Sequence, residues 1–304
     1  MSGNKLSVVI CTWNEEKNLP RAVASVKELA DEVVVVDTES TDNTVEVAKK
    51  LGCKVFTHEN TTVVEPVRNY SISKASGDWI LLLDADEEVP ASLSSHIKDI
   101  INSKDSADYY RLPRKNFIFG KWITSSHWWP DPVYRFFKKG SVTWDPSIHS
   151  IPQTVGTGAD LPMEEEYALV HHNYSSVSQF IVRMDRYTNV QLNELKTRGI
   201  TFDWHDIITK PGQEFILQYF SRRGYKDGLH GLVLSLLQAF SELILYTKLW
   251  QDHKFTPVPL TPVQVKKQMS SVIHDGRWWY CQHKADSSGY PLRIFWKICQ
   301  KLSR

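Results

Sequence analysis

"GDWILLLDADEEVP", residues 77–90, is the stretch that decides the fold. Residues 80–83 are apolar without alternation, which marks a strand covered on both faces. The run discharges straight into Asp84, Asp86, Glu87 and Glu88, so like charges crowd one strand end and call for cations nearby. Upstream the same grammar recurs. Residues 6–12 form a short β-branched strand running into Thr12, Asn14 and Glu15, and residues 32–37 form a second one ending in Asp37. Residues 53–57 read as a third. Between these strands lie helical stretches. One spans 15–30 with acids in its first turn, where the helix dipole favours them. A second follows the capping residues 40–44 and stops at Gly52, and a third opens at Glu65-Pro66 and ends at Gly77.

Strand and helix thus alternate over the first 90 residues or so, which predicts an α/β fold: an open, mixed but mostly parallel sheet with helices on both faces. Ligands of such sheets lie outside the carboxyl ends of the strands. Thr12 to Glu15, Asp37 to Ser40 and Asp84 to Glu87 all fall there. From about residue 105 the pattern loosens. Residues 109–113 and 133–138 look like strands around a tryptophan-rich loop, and from about 175 the chain turns helical. The expected organisation is therefore an α/β domain over 1–170, in two parts that meet near residue 105. A mostly helical region follows over 171–304.

The totals exclude several classes. Of the 304 residues, 41% are hydrophobic and 23% charged, enough for a core and for solubility. The net charge of +1 gives no field to hold nucleic acid. Four scattered cysteines without a CxxC pair read as reduced thiols of a cytosolic protein. The N-terminus reaches Asn14 and Glu15 too soon for a signal peptide. No run of about 20 uncharged apolar residues predicts a membrane span; residues 229–250 come nearest.

An i, i+2 pair of acids at a strand end points both side chains to one side. A hard divalent cation such as Mg²⁺ or Mn²⁺ takes such carboxylates together with phosphate oxygens. The same residues also read as a solvated strand end before an acidic helix start. "VVICTWNEEKNL", "VVVVDTESTDNT" and "RNYSISKASGDWILLLDADEE", with their spacing, resemble the inverting glycosyltransferases of family 2, which have a GT-A fold. The resemblance covers roughly residues 5–150, and implies that the domain over 1–170 is catalytic, with nucleotide-sugar binding in 1–105 and the acceptor side in 106–170. It implies a nucleotide-diphosphate sugar donor, with a UDP-hexose expected, a divalent metal, and transfer to an acceptor hydroxyl with inversion. It further implies that Thr12, Asn14 and Glu15 line the nucleotide pocket, that Asp37 contacts the base or ribose, and that Arg68 reaches the base or diphosphate. Asp84 would touch the ribose or sugar and Asp86 would ligate the metal, with Asp84 as its second carboxylate. The family usually carries two adjacent aspartates after the second strand; here the second position is Thr38.

Inverting transfer needs a base opposite the leaving group. The candidates are Asp131, Asp145 and His149. Asp131 follows Trp128, Trp129 and Pro130, in the W-P-D context of similar family members, and is the expected base. Its position between two prolines is also what a turn aspartate would show. Trp128 and Trp129 could stack on sugar rings, and His149 joins them on the acceptor side. Many relatives have His-Glu where this chain has His149-Ser150.

"FILQYFSRRGYKDGLHGLVLSLLQAFSELILYTKLW", residues 215–250, resembles the subgroup that adds glucose to heptose in the lipopolysaccharide inner core. That implies a cell-envelope glycan or glycolipid as acceptor. Arg222, Arg223 and Lys226 beside an apolar helix suit an anionic amphiphile, and residues 290–304 form a second basic amphipathic segment. Either could equally be an ordinary packed helix. The expected setting is cytoplasmic, peripheral on the inner face of the membrane. Two rivals remain open. A nucleotidyltransferase would want a glycine-rich, lysine-bearing loop, which "CTWNEEKN" lacks; a non-catalytic sugar-nucleotide module would keep the fold without turnover.

Overall fold

The computed structural model describes residues 4–61, 65–144 and 151–302. The chain divides into two compact units, Met1–Phe117 with Trp128–Asn173, and Ile118–His127 with Tyr174–Arg304.

The first unit opens with β1 (Leu6–Thr12), α1 (Leu19–Val26), β2 (Glu32–Asp37), α2 (Thr44–Lys50), β3 (Lys54–Thr57), α3 (Glu65–Ser73) and β4 (Trp79–Asp84). There follow β5 (Glu87–Glu88), α4 (Ala91–Asn102), β6 (Tyr109–Leu112) and β7 (Arg114–Ile118). Strand β8 (Lys121–Trp122) belongs to the second unit. The first resumes with β9 (Val133–Lys138), β10 (Val142–Thr143), β11 (Gln153–Thr154), β12 (Gly158–Asp160) and β13 (Leu169–Tyr174).

Seven strands make the main sheet in the order β12-β6-β9-β4-β1-β2-β3. Strand β1 is parallel to both β2 and β4, and β3 is parallel to β2, whereas β9 runs antiparallel to β4 and to β6. The continuous apolar runs are explained by two covered faces. Val8, Ile10, Leu81 and Leu83 pack on one side with Leu19, Val26, Leu93 and Ile97 of the flanking helices. The alternate residues Val9, Val34, Ile80 and Leu82 pack on the other with Val67, Ile72 and Phe137.

Helix α1 starts at Leu19, four residues later than the sequence suggests, and has no acid in its first turn. The acids before it serve the neighbouring loop instead: Glu16 Oε2 accepts from the Asn43 backbone and side-chain amides at 3.1 and 2.9 Å. At the amino edge of the sheet Glu32 accepts from Ser76 Oγ at 2.9 Å, and Ser7 and Lys54 donate to the same carboxylate. Gly77 passes so close to β1 that a Cβ there would sit 2.7 Å from the Lys5 carbonyl.

The second unit is helical: α5 (Val177–Thr197), α6 (Asp206–Ile216), α7 (Leu229–Asp252), α8 (Pro262–Ser287) and α9 (Leu292–Leu302). Helix α8 begins with a capping box in which Thr261 and Gln264 satisfy each other's amides. Helix α7 is long and apolar enough to cross a membrane by length and composition alone. Within the unit its Leu245, Tyr246 and Leu249 pack on Leu192, Leu195, Phe202 and Ile207, and Lys248 binds Asp185 and Asn189. In the turn before α7, buried Asp227 accepts from the Ser125 amide at 2.9 Å, while Arg222, Arg223 and Lys226 stay exposed.

Candidate active site

Register brings the expected polar residues to one edge. Across β1, Thr12 is level with Asp37 on β2, and Cys11 is level with Asp84 on β4. Thr12 and Asp37 are each only 2% exposed. The Thr12 hydroxyl lies 3.4 Å from Asp37 Oδ1, and Asp37 Oδ2 accepts from the Ser40 amide at 3.0 Å. Thr38, where the family motif has an aspartate, donates to the Thr12 carbonyl at 2.9 Å and ties the two strand ends together. Asn14, at φ +56°, accepts from the Thr41 amide at 2.7 Å, and its own amide donates to Ser40. The Glu15 amide donates to Thr44 Oγ1 at 2.8 Å, and its carboxylate accepts from Asn18. Asn14 and Glu15 therefore lace the loops after β1 and β2, and that shapes the rim of the edge.

The cations that the acid cluster calls for come from the protein itself. Arg135, in the middle of β9 and 2% exposed, pairs through Nη2 with Asp84 Oδ2 and, at 3.0 Å, with Glu87 Oε1. Glu87, fully buried, also binds Arg114 at 3.3 Å and accepts from the Asp84 amide at 2.9 Å. Arg68 reaches Asp84 Oδ1 at 3.6 Å with its guanidinium over the Trp144 ring, and Arg21 pairs with Glu88 at 2.9 Å. Burial alone would raise the Asp84 carboxyl, but the charges of Arg135, Arg68 and Arg114 outweigh it and hold it well below the usual carboxylate range. Cys11, half-buried beneath this edge, has its thiol pushed up to about 11 by desolvation, which disfavours the thiolate.

Asp86 is treated differently. It is 7% exposed, and His171 Nε2 lies 3.5 Å from its Oδ1. The tautomer of His171 follows from its neighbour. Asn116 spends its amide protons on the Trp128 carbonyl at 2.7 Å and Asp131 Oδ2 at 2.8 Å, so its oxygen is an acceptor. His171 Nδ1, 2.6 Å from that oxygen, must donate, so Nε2 is the nitrogen that faces the Asp86 carboxylate. One oxygen and one imidazole nitrogen, the latter oriented through its other nitrogen, form a donor set that suits a divalent cation. Among the described residues no cluster of three or more His, Cys, Asp or Glu side chains could hold a metal, so at least part of any coordination shell must come from a ligand.

Asp131 stands at the other end of this chain of bonds. Its Oδ2 accepts from Asn116 and from Arg114 Nη2 and Nε at 2.7 and 3.0 Å. Its backbone has φ +45°, which is strained for a residue other than glycine. Trp128 is buried, with little ring face left for a sugar, and Trp129 is half-buried. Asp145 and His149 lie outside the described residues.

The model of the glycosyl transferase family 2 matches residues 7–155. An uncharacterized glycosyltransferase of Rickettsia typhi is 30% identical over 253 residues, 81% of this chain and 86% of that protein. The chain belongs to glycosyltransferase family 2. The lipopolysaccharide core biosynthesis glycosyltransferase LpsC of Rhizobium meliloti is more distant, at 21% identity over 84% of this chain and 95% of that protein. A solved glucosyl-3-phosphoglycerate synthase from Mycobacterium tuberculosis, in complex with Mn²⁺ and UDP-glucose, overlaps 39% of this chain and 45% of its own at 23% identity and a TM-score of 0.32. So limited an overlap informs neither donor nor metal.

In this glycosyltransferase of GT-A fold, sequence reading missed Glu87, Arg114, Asn116, Arg135 and His171 as a connected set. Arg135 left one trace: a lone charge inside "VYRFF" is unusual for a buried strand and signals a buried ion pair. His171 and Asn116 left none, because their pairing joins strands distant in sequence.

Proposed function

We propose that this glycosyltransferase is a divalent-metal-dependent, inverting hexosyltransferase that uses a UDP-sugar and glycosylates a hydroxyl of a cell-envelope glycan of the lipopolysaccharide-core kind. The observation that carries the reading is the Asp86–His171 pair on the edge that also holds Asp37 and Asp84. Asp86 and His171 would hold the cation, with donor phosphate oxygens completing its shell. When bound, such a cation supplies Lewis-acid stabilisation of the charge that builds on the departing diphosphate.

The chain's own residues do the rest. Asp37 and Thr12 form the buried floor for the nucleoside, and Arg68 offers positive charge near the diphosphate. Asp84, fixed by Arg135, is held ionised and in place to accept hydrogen bonds from ribose or sugar hydroxyls. Asp131 takes the acceptor proton as its oxygen attacks the anomeric carbon opposite the leaving diphosphate. Three donors converge on Asp131 Oδ2 and hold the side chain fixed, and Oδ1 is the oxygen that would receive the proton. Support for the acceptor class is the distant likeness to LpsC over 84% of this chain, together with the exposed Arg222, Arg223 and Lys226, which suit a phosphorylated glycolipid.

The test is a screen of nucleotide sugars for thermal stabilisation with and without Mn²⁺, followed by a transfer assay on truncated lipopolysaccharide. The reading expects a UDP-hexose to stabilise only with metal and to be consumed with acceptor. Stabilisation without turnover on any envelope acceptor would favour a binding module instead.

A further inference from the structure

The second unit carries a surface that glycosyl transfer does not use. Helix α9 packs on α8 through Trp296 and Gln300: the Gln300 amide donates to Gln282 at 2.7 Å, and Trp296 meets Tyr280 edge-on at 5.9 Å. A helix with one core face normally turns polar residues outward elsewhere. Here Ile294, Phe295, Ile298 and Leu302 form a second apolar stripe, 48%, 55%, 53% and 79% exposed. At 3.6 residues per turn it lies roughly 140° around the helix from the packed face. Beside it Arg293, Lys297 and Lys301 form an exposed row at four-residue spacing, and α9 contains no acid.

We propose that α9 is an interfacial helix that docks on an anionic lipid bilayer, the apolar stripe entering the acyl boundary and the cation row meeting lipid phosphates. Charge selects this occupant. The whole chain is nearly neutral at +1, yet the only charges bordering the stripe on this helix are positive. A second copy docked by the same face would set three cations against three cations with no acid to meet them. An anionic membrane surface complements both rows at once, and long Lys and Arg stems let the charges lie level with headgroups while the apolar residues sink.

The test is co-sedimentation of the full chain with vesicles of phosphatidylcholine alone, or of phosphatidylcholine with about a third phosphatidylglycerol. The chain should partition onto the anionic vesicles and remain largely free of the neutral ones. Arg293→Gln, Lys297→Gln and Lys301→Gln should each weaken partitioning about fivefold, and roughly a hundredfold together. Phe295→Ser with Ile298→Ser should abolish it at unchanged helix content, since both side chains are exposed. Equal partitioning onto both vesicle types, binding insensitive to both sets of changes, or a chain that stays in solution would overturn the assignment. So would a concentration-dependent dimer that dissolves in the Phe295→Ser, Ile298→Ser variant. Vesicle binding needs neither donor nor metal, so its failure would leave the transfer reading intact.

Discussion

The same parallel strands end in acids at both edges of the sheet, and the two edges handle them in opposite ways. At the amino edge Glu32 is saturated: Ser7, Lys54 and Ser76 bond its carboxylate, its side chain is 8% exposed, and it locks β1, β2 and the approach to β4. At the carboxyl edge the acids are graded. Glu87 is closed by arginines as firmly as Glu32 is by its donors, Asp84 is held but keeps 30% of its side chain open, and Asp86 lies 3.5 Å from the His171 imidazole. A carboxylate closed by donors of its own sheet holds structure; one placed beside an imidazole nitrogen at the ligand edge belongs to a pair of groups that suits a divalent cation. Position along the strand separates stability from chemistry.

Four substitutions would break or sharpen that contrast. Asp86→Asn should have the largest effect on activity, cutting transfer about a thousandfold, while the melting temperature stays close to that of the parent. Asp131→Asn should cut transfer by about 10²–10⁴-fold while metal-dependent donor binding, read by calorimetry, persists; retained transfer would shift the role of base elsewhere. Arg135→Met should act on folding, because buried Glu87 then keeps the longer Arg114 pair but loses its closer guanidinium, and Asp84 loses its buried partner. Chemical denaturation should register a loss of about 3–5 kcal/mol, and a much smaller loss would mean that the pair contributes little.

Glu32→Gln should have the smallest effect, about 1–3 kcal/mol at neutral pH with activity kept. It also has a pH signature. Burial would raise the Glu32 carboxyl, but its hydrogen bonds to Lys54, Ser7 and Ser76 together lower it from 4.5 to about 2. Its contribution is therefore complete above pH 4.5 and is lost as pH falls toward 2. Denaturation midpoints followed over that window should fall more steeply in the parent than in the variant. Parallel profiles would remove Glu32 from the acid-sensitive set.

The parallel half of the fold was legible because strands buried on both faces must be continuously apolar, and "VVVV" and "ILLL" can scarcely be anything else. The acids gathered at the carboxyl edge were legible for the same reason: once β1, β2 and β4 are parallel neighbours, their ends share an edge. The start of α1 was read early, since Glu15 and Glu16 look like first-turn acids until the residues they bind are known. The network from Asp86 through His171 and Asn116 to Asp131 could not be read, because it draws on β13, β7 and the turn before β9, segments distant in sequence whose pairing no local period encodes.

The central claim is that Asp86 exists to meet a divalent cation against the donor's diphosphate. Isothermal titration of UDP into the parent and Asp86→Asn proteins, each with Mn²⁺ and with chelator, tests it most directly. The account predicts that Mn²⁺ tightens UDP binding at least tenfold in the parent, about 1.4 kcal/mol, and leaves the variant unchanged. Equal metal dependence in both proteins would contradict it.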